Sequence, residues 1–422
     1  MTTSWDDGAK EDLKLADLLL KYDVPATFYL PLRNPERKVM NTREIKEIGE
    51  RFEIGGHTAN HKILTDISLK NAKKEISEGK KKLEEIIGWP IISFCYPKGM
   101  YNRDIKQFVG FSGYEYARTT ELFSTQVQDK LLAGTTVHAY DHHPLVYIRE
   151  LGLRLRSGSE SRLGKLGMLG MISKKWDELA LYWLDYCRKN GGTYHFWGHS
   201  WEIEEAGDWD KLKRVLSYIS QHTVKGERKT NGDLLSELEK GKKRYYEKQD
   251  PAKYKSNVKV IAALTREFDR KGKRILDVGC GNGQVSELFS NADYTGIDFA
   301  GNFIRYAKKR YPERKFYLSD YKEIQKLGLP KQDLIIVWGM FEDAADPFGK
   351  LDLVKPLIKK GTKIIFSLHN SQSLVFRFFK FLQTRFYKEF FPYTSFTRSF
   401  LQREFNVKVM DSGSTLIVIL NK

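Results

Sequence analysis

Cysteine is scarce in this chain of 422 residues: Cys95, Cys187 and Cys280 are odd in number and far apart. A disulfide framework is therefore excluded as the basis of the fold, and a reducing cytosol suits the chain. Long apolar runs are missing as well. The longest, such as Leu334–Met340, are strand-sized, against the roughly 18 residues that a membrane span needs. No apolar signal segment follows the polar and acidic residues that begin at Thr2, so a cytoplasmic location is expected. Internal repeats and low-complexity tracts are also lacking.

The composition that remains is that of a soluble globular protein: 41% hydrophobic and 30% charged residues leave no room for global disorder. The length is two to three times that of an ordinary domain, so two domains are expected. Charge supports the division. Residues 1–250 hold 41 Lys and Arg against 37 Asp and Glu, or +4; residues 251–422 hold 30 against 17, or +13. The basic second half suits an anionic partner such as phosphate, a membrane surface or nucleic acid, or simply solubility. Glu237–Ser256, charged and bearing Pro251, is the most linker-like stretch. The expected domains are 1–240 and 257–422, joined by a linker at 241–256.

Both halves alternate short β-rich runs with longer helical ones. Strands are expected at Ala26–Leu30, Ile91–Tyr96 and Thr193–Trp197, then at Arg274–Val278, Tyr294–Asp298, Leu334–Trp338 and Lys363–Leu368. Helices are expected at Thr42–Arg51, Leu69–Ile87 and Trp176–Asn190, then at Asn257–Phe268, Gln284–Phe289 and Ile304–Tyr311. Such alternation predicts an α/β protein with a mostly parallel sheet in each half.

Three motifs stand out in the first half. Asp6 and Asp7 end the first strand ahead of Gly8, where the chain can turn and bring both carboxylates to one site. His57 and His61 are four residues apart and can bind one metal ion. Two histidines and one carboxylate make a common catalytic zinc set with an open position for water, which leaves the neighbouring carboxylate free to act as a base. Cys95-Tyr96-Pro97-Lys98-Gly99 is a turn following a strand. Together these motifs resemble the polysaccharide deacetylases of carbohydrate esterase family 4, over roughly residues 1–240. The resemblance implies an irregular (β/α) barrel with its site at the C-terminal strand ends. It implies Asp6 as general base, and Asp7, His57 and His61 as ligands of zinc or a similar divalent ion. His199 is the candidate general acid, since it follows an apolar strand and stands at its end; His195, inside that strand, reads equally as a buried structural histidine. His142 and His143, beside Asp141, read as a solvated loop that could line the cleft. Two positions depart from the family. Cys95 stands where an arginine orients the base, and Lys98 where an aromatic is usual.

In the second half, Arg274–Val278 runs into the glycine turn Gly279-Cys280-Gly281-Asn282-Gly283, and a later strand ends at Asp298, 19 residues after Gly279. Glycines let the backbone approach a ligand, and an acid about 20 residues on suits a ribose hydroxyl. The form Asp277-Val278-Gly279-Cys280-Gly281-Asn282-Gly283 resembles the first motif of class I S-adenosylmethionine-dependent methyltransferases, over about residues 245–422. That resemblance implies a Rossmann-like doubly wound domain. Asp277, Gly279, Gly281 and Gly283 would shape the methionine and ribose pocket, Asp298 would bind the ribose, and Asp320 would meet the adenine. Glu342, Asp343 or His369 could supply a base. Residues 372–405 hold 12 Phe and Tyr with 6 Lys and Arg. They read as a cap over the acceptor site or as a peripheral membrane or lipid-carrier contact; nucleic-acid binding ranks below both.

The sequence thus predicts a bifunctional enzyme. One half would remove acetyl from an N-acetylated sugar, glycan or lipid-linked sugar, and the other would transfer methyl from S-adenosylmethionine, on this reading to the freed amine. The alternative is an inactive glycan-binding barrel serving an O-methyltransferase.

Overall fold

The computed structural model describes residues 1–157, 174–344, 346–374, 396–405 and 407–421. They divide into two compact units, one from Met1 to Glu237 and one from Leu238 onward.

The first unit holds seven strands: β1 Thr2–Asp6, β2 Thr27–Leu30, β3 Glu53–Gly56, β4 Ser93–Cys95, β5 Tyr116–Arg118, β6 Val137–His138 and β7 His195–Gly198. They form one parallel sheet in the order β5-β4-β3-β2-β1-β7-β6. All five residues of β1 are buried, as expected of a parallel strand covered on both faces. Helices close the outside. The longest, Leu69–Ile87, buries Ala72, Ile76, Gly79, Leu83 and Ile87 along one stripe. It starts at Ser68, whose side chain accepts from Asn71 N, and stops at Gly88, whose φ of 90° ends the helix in a left-handed turn. The helix Thr42–Gly49 begins with a capping box: Asn41 Oδ1 accepts from Glu44 N at 3.0 Å, and Glu44 Oε2 from Asn41 N at 2.6 Å.

The second unit contains β8 Arg274–Val278, β9 Asp293–Asp298, β10 Lys315–Leu318, β11 Gln332–Val337, β12 Ile358–His369, β13 Lys408–Ser412 and β14 Thr415–Asn421. Their order is β10-β9-β8-β11-β12-β14-β13, parallel except at β14, which runs antiparallel to both β12 and β13. The order turns back on either side of β8, so the crevice at its carboxyl end is the natural ligand position. Ile275, Ile336, Ile365 and Ile417 form the core under it.

Two expectations are corrected here. The helix expected at Gln284–Phe289 is a short 3-10 segment, Gln284–Leu288. The stretch expected as a linker is helical through Lys248, as part of Asn231–Lys248. Of the aromatic segment at 372–405, residues 375–395 lie outside those described. Among the described residues no helix is long and apolar enough to cross a membrane.

Candidate active sites

The first site gathers at the carboxyl ends of β1, β3, β4, β5 and β7. Asp7 Oδ1 lies 3.0 Å from His61 Nε2 and 3.5 Å from His57 Nε2. One ligand atom from each of the three residues lies within 4.8 Å of the others. The histidines meet because of the loop after β3, not because of a helix face: Thr58 and His61 take left-handed φ values of 65° and 53°, and Asp7 one of 77°. Non-glycine residues in that region are strained, and such strain collects at functional sites. The helix Leu69–Ile87 holds the loop in place. Glu75 O accepts from Ala59 N, and the Glu75 carboxylate accepts from Asn60 N and Nδ2, each at 2.8 Å.

The donor set fits a metal ion. Asp7 Oδ1 is buried with no hydrogen bond aimed at it. His57 Nδ1 faces the carbonyl of Cys95 at 2.8 Å, which assigns the ring proton to Nδ1 and turns the lone pair of Nε2 towards Asp7. Trp201 Nε1 donates to Asp7 Oδ2 at 3.0 Å and fixes the carboxylate plane.

Beside this set stands Asp6, and its surroundings overturn one expectation. No arginine is missing. Arg118, at the end of β5, is fully buried and forms an ion pair with Asp6 Oδ1 through its guanidinium. Cys95 and Arg118 are partners in the β4–β5 ladder, so their side chains share a face. The small Cys95 leaves room for the guanidinium to cross, and its thiol donates to Asp6 Oδ2 at 3.5 Å. Arg118 also lies over the Trp197 and Tyr29 rings, at 4.5 and 5.2 Å.

His199 follows β7, and its Nε2 is 3.9 Å from Asp7 Oδ2. Its Nδ1 is 2.6 Å from Glu202 Oε2. Burial lowers the His199 pKa, but Glu202 and the nearby Asp7 and Asp6 charges carry it above its ordinary value. Glu202 also meets His138 Nε2 at 3.0 Å, and His138 Nδ1 meets His142 Nε2 at 2.9 Å. His142 therefore belongs to a bonded chain rather than to a solvated loop, while His143 stays exposed. His195 is buried against Ser4 Oγ at 2.8 Å, the structural alternative. Lys98 is exposed, 3.8 Å from Glu36.

The second site is the crevice outside β8. Gly279, Gly281, Asp298, Phe299, Phe303, Trp338, Gly339 and Met340 line a pocket there with Lys242, Tyr246 and Tyr254. The last three come from the stretch expected as a linker. Both Asp298 oxygens are held by backbone donors, Gly281 N at 2.9 Å and Ala300 N at 2.8 Å, so the carboxylate is fixed at the loop. The other expected residues are placed differently. Asp277 is buried and accepts from Tyr294 Oη at 2.6 Å. Gly283 serves packing, since a Cβ there would stand 2.9 Å from Phe316. Asp320 is exposed and caps the 3-10 segment Tyr321–Leu327.

Comparison with known proteins gives the same division. Residues 1–117 match the family model of polysaccharide deacetylases, and residues 269–394 that of a methyltransferase domain. The chain therefore joins a polysaccharide deacetylase domain to a methyltransferase domain. In the second part it is 31% identical over 112 residues to a ubiquinone biosynthesis O-methyltransferase of Coxiella burnetii, covering 25% of this chain and 48% of that protein. The chain thus spans about half the length of the curated relatives it matches. Among solved structures, a polysaccharide deacetylase from Bacillus cereus is 26% identical, covering 32% of this chain and 46% of that one, with a TM-score of 0.29. A SAM-dependent methyltransferase from Archaeoglobus fulgidus is 18% identical, covering 40% and 96%, with a TM-score of 0.31.

Proposed function

We propose that this chain hydrolyses the N-acetyl group of a sugar or glycan in its first unit, and transfers methyl from S-adenosylmethionine to the freed amine in its second. The observation that carries the reading is the convergence of Asp7, His57 and His61 within 4.8 Å, beside a carboxylate clamped by a buried arginine.

Asp7, His57 and His61 would hold a divalent ion, most simply zinc, which when bound supplies an acidified water and a positive centre for the acetyl carbonyl. Asp6 takes the proton of the attacking water at its carboxylate. Arg118 and the Cys95 thiol hold that carboxylate in one orientation, as a base needs. His199, kept protonated by Glu202, gives its proton to the departing nitrogen. Acetate and a free amino sugar result. The alternative of an inactive barrel drew its support from the absent arginine at position 95, and Arg118 removes that support.

In the second unit the glycine loop and Asp298 suit the ribose and methionine parts of S-adenosylmethionine. Deacetylation prepares the acceptor, because an amide nitrogen has its lone pair delocalised into the carbonyl and an amine does not. A lipid-linked sugar and a cytoplasmic location fit this reading.

The test is metal analysis combined with acetate release. Chitin oligomers should yield acetate with the zinc-loaded protein, lose that reaction on chelation and regain it with zinc. Metal-loaded protein that releases no acetate from any N-acetyl sugar would refute the reading.

A further inference from the structure

A side-chain network outside the second pocket is hydrogen-bonded to one of the residues that line it. Gly339 and Met340, just past β11, line that pocket. Ser367 Oγ accepts from Gly339 N at 2.8 Å and donates to Glu342 Oε1 at 3.0 Å. The other oxygen of Glu342 lies 3.6 Å from His369 Nε2, and the two side chains are 22% and 24% exposed. Ser367 and His369 are two apart on β12 and so share a face. Glu342 follows β11 and His369 ends β12, which places both at the carboxyl ends of strands, where ligands of doubly wound sheets bind. The core beneath is apolar, built from Ile336, Ile365 and Ile417. An imidazole beside a carboxylate at this place suits proton transfer.

We propose that His369 is the general base of methyl transfer and that Glu342 is its positioning residue; this rests on reading the pocket as the S-adenosylmethionine site. An amino sugar arriving as an ammonium has no lone pair. A ring nitrogen of His369 takes one proton from it, and the lone pair so freed forms the N–C bond to the methyl carbon. The C–S bond breaks and its electrons stay on sulfur. A secondary ammonium, an imidazolium and a neutral thioether result, and the imidazolium then passes its proton to water. Glu342 stabilises the imidazolium and holds the ring in plane. A hydroxyl acceptor would give its proton to the same ring.

The test uses the full chain with S-adenosylhomocysteine. In a crystal of that complex, the His369 ring and the thioether sulfur should face one cavity about 6–8 Å apart, the span of a methyl, an acceptor atom and a hydrogen bond. A ring turned away from the sulfur, or separated from it by side chains, would overturn the proposal. In solution, His369→Gln and Glu342→Gln should keep the calorimetric affinity for S-adenosylhomocysteine. With a glucosamine tetramer as acceptor, His369→Gln should lose about 100-fold or more in kcat with little change in KM. Glu342→Gln should lose less, and Glu342→Asp should recover part of it. Full turnover by His369→Gln would likewise overturn the proposal. A wild-type chain that binds no S-adenosylhomocysteine would remove the underlying reading, and this proposal with it.

Discussion

At the scale of single residues, the account turns on two adjacent aspartates with different tasks. Asp6→Asn should abolish acetate release while zinc remains bound, because it removes the base and no ligand. His57→Ala should lose both, and metal content measured alongside acetate separates the two cases. Arg118 is the residue that sequence reasoning missed. Its partner Asp6 lies 112 positions away, and its strand is only three residues long, so no local pattern marks it. It became legible only once the β4–β5 register set it beside Cys95. Arg118→Ala leaves a buried carboxylate unpaired and should cost about 3–5 kcal/mol in the denaturant unfolding of the first unit. Adding Asp6→Asn should recover part of that loss, as a double-mutant cycle would read. In the second unit, burial, opposed by the Tyr294 hydrogen bond, pushes the Asp277 carboxyl up to about 7. The folded state then holds a proton that the unfolded state has released between about pH 4 and 7. Stability from this group is complete below that window and is lost as pH rises through it, at about 1.4 kcal/mol per pH unit. Asp277→Asn should flatten that part of the stability–pH curve; an unchanged slope would show that the carboxyl is ionised throughout.

At the scale of elements, the strands and long helices were readable because burial imposes its pattern on sequence. Leu69–Ile87 carries its cap, its stripe and its terminal glycine in plain order. What could not be read is what the helix is for. A Cβ on Gly79 would lie 2.8 Å from the carbonyl carbon of Thr58, so the helix can press against the His57–His61 loop only with glycine there. Gly79→Ala should displace that loop and lower zinc affinity at least tenfold in a competition titration, with S-adenosylmethionine binding unaffected. The segment before β8 misled for the opposite reason. Its charges suggested a linker, yet it is helical to Lys248, and Tyr246 and Tyr254 line the pocket outside β8. Charge on one helix face hides a pocket-lining face when only composition is weighed.

At the scale of the whole molecule, two chemistries on one chain make sense if the product of the first is the substrate of the second. A covalent link raises the local concentration of the intermediate at the second site. Separability is the first consequence. Asp298→Ala should weaken S-adenosylmethionine binding by calorimetry and leave acetate release intact. Coupling is the second, and it is the central claim. The most direct test is mass spectrometry of a chitin oligomer incubated with zinc-loaded protein and isotope-labelled S-adenosylmethionine, for the wild type and for Asp6→Asn. The account predicts that wild type yields sugars that have lost acetyl and gained labelled methyl on the same nitrogen, and that Asp6→Asn yields neither change. Labelled methyl on fully acetylated oligomer, formed by Asp6→Asn at the wild-type rate, would contradict it.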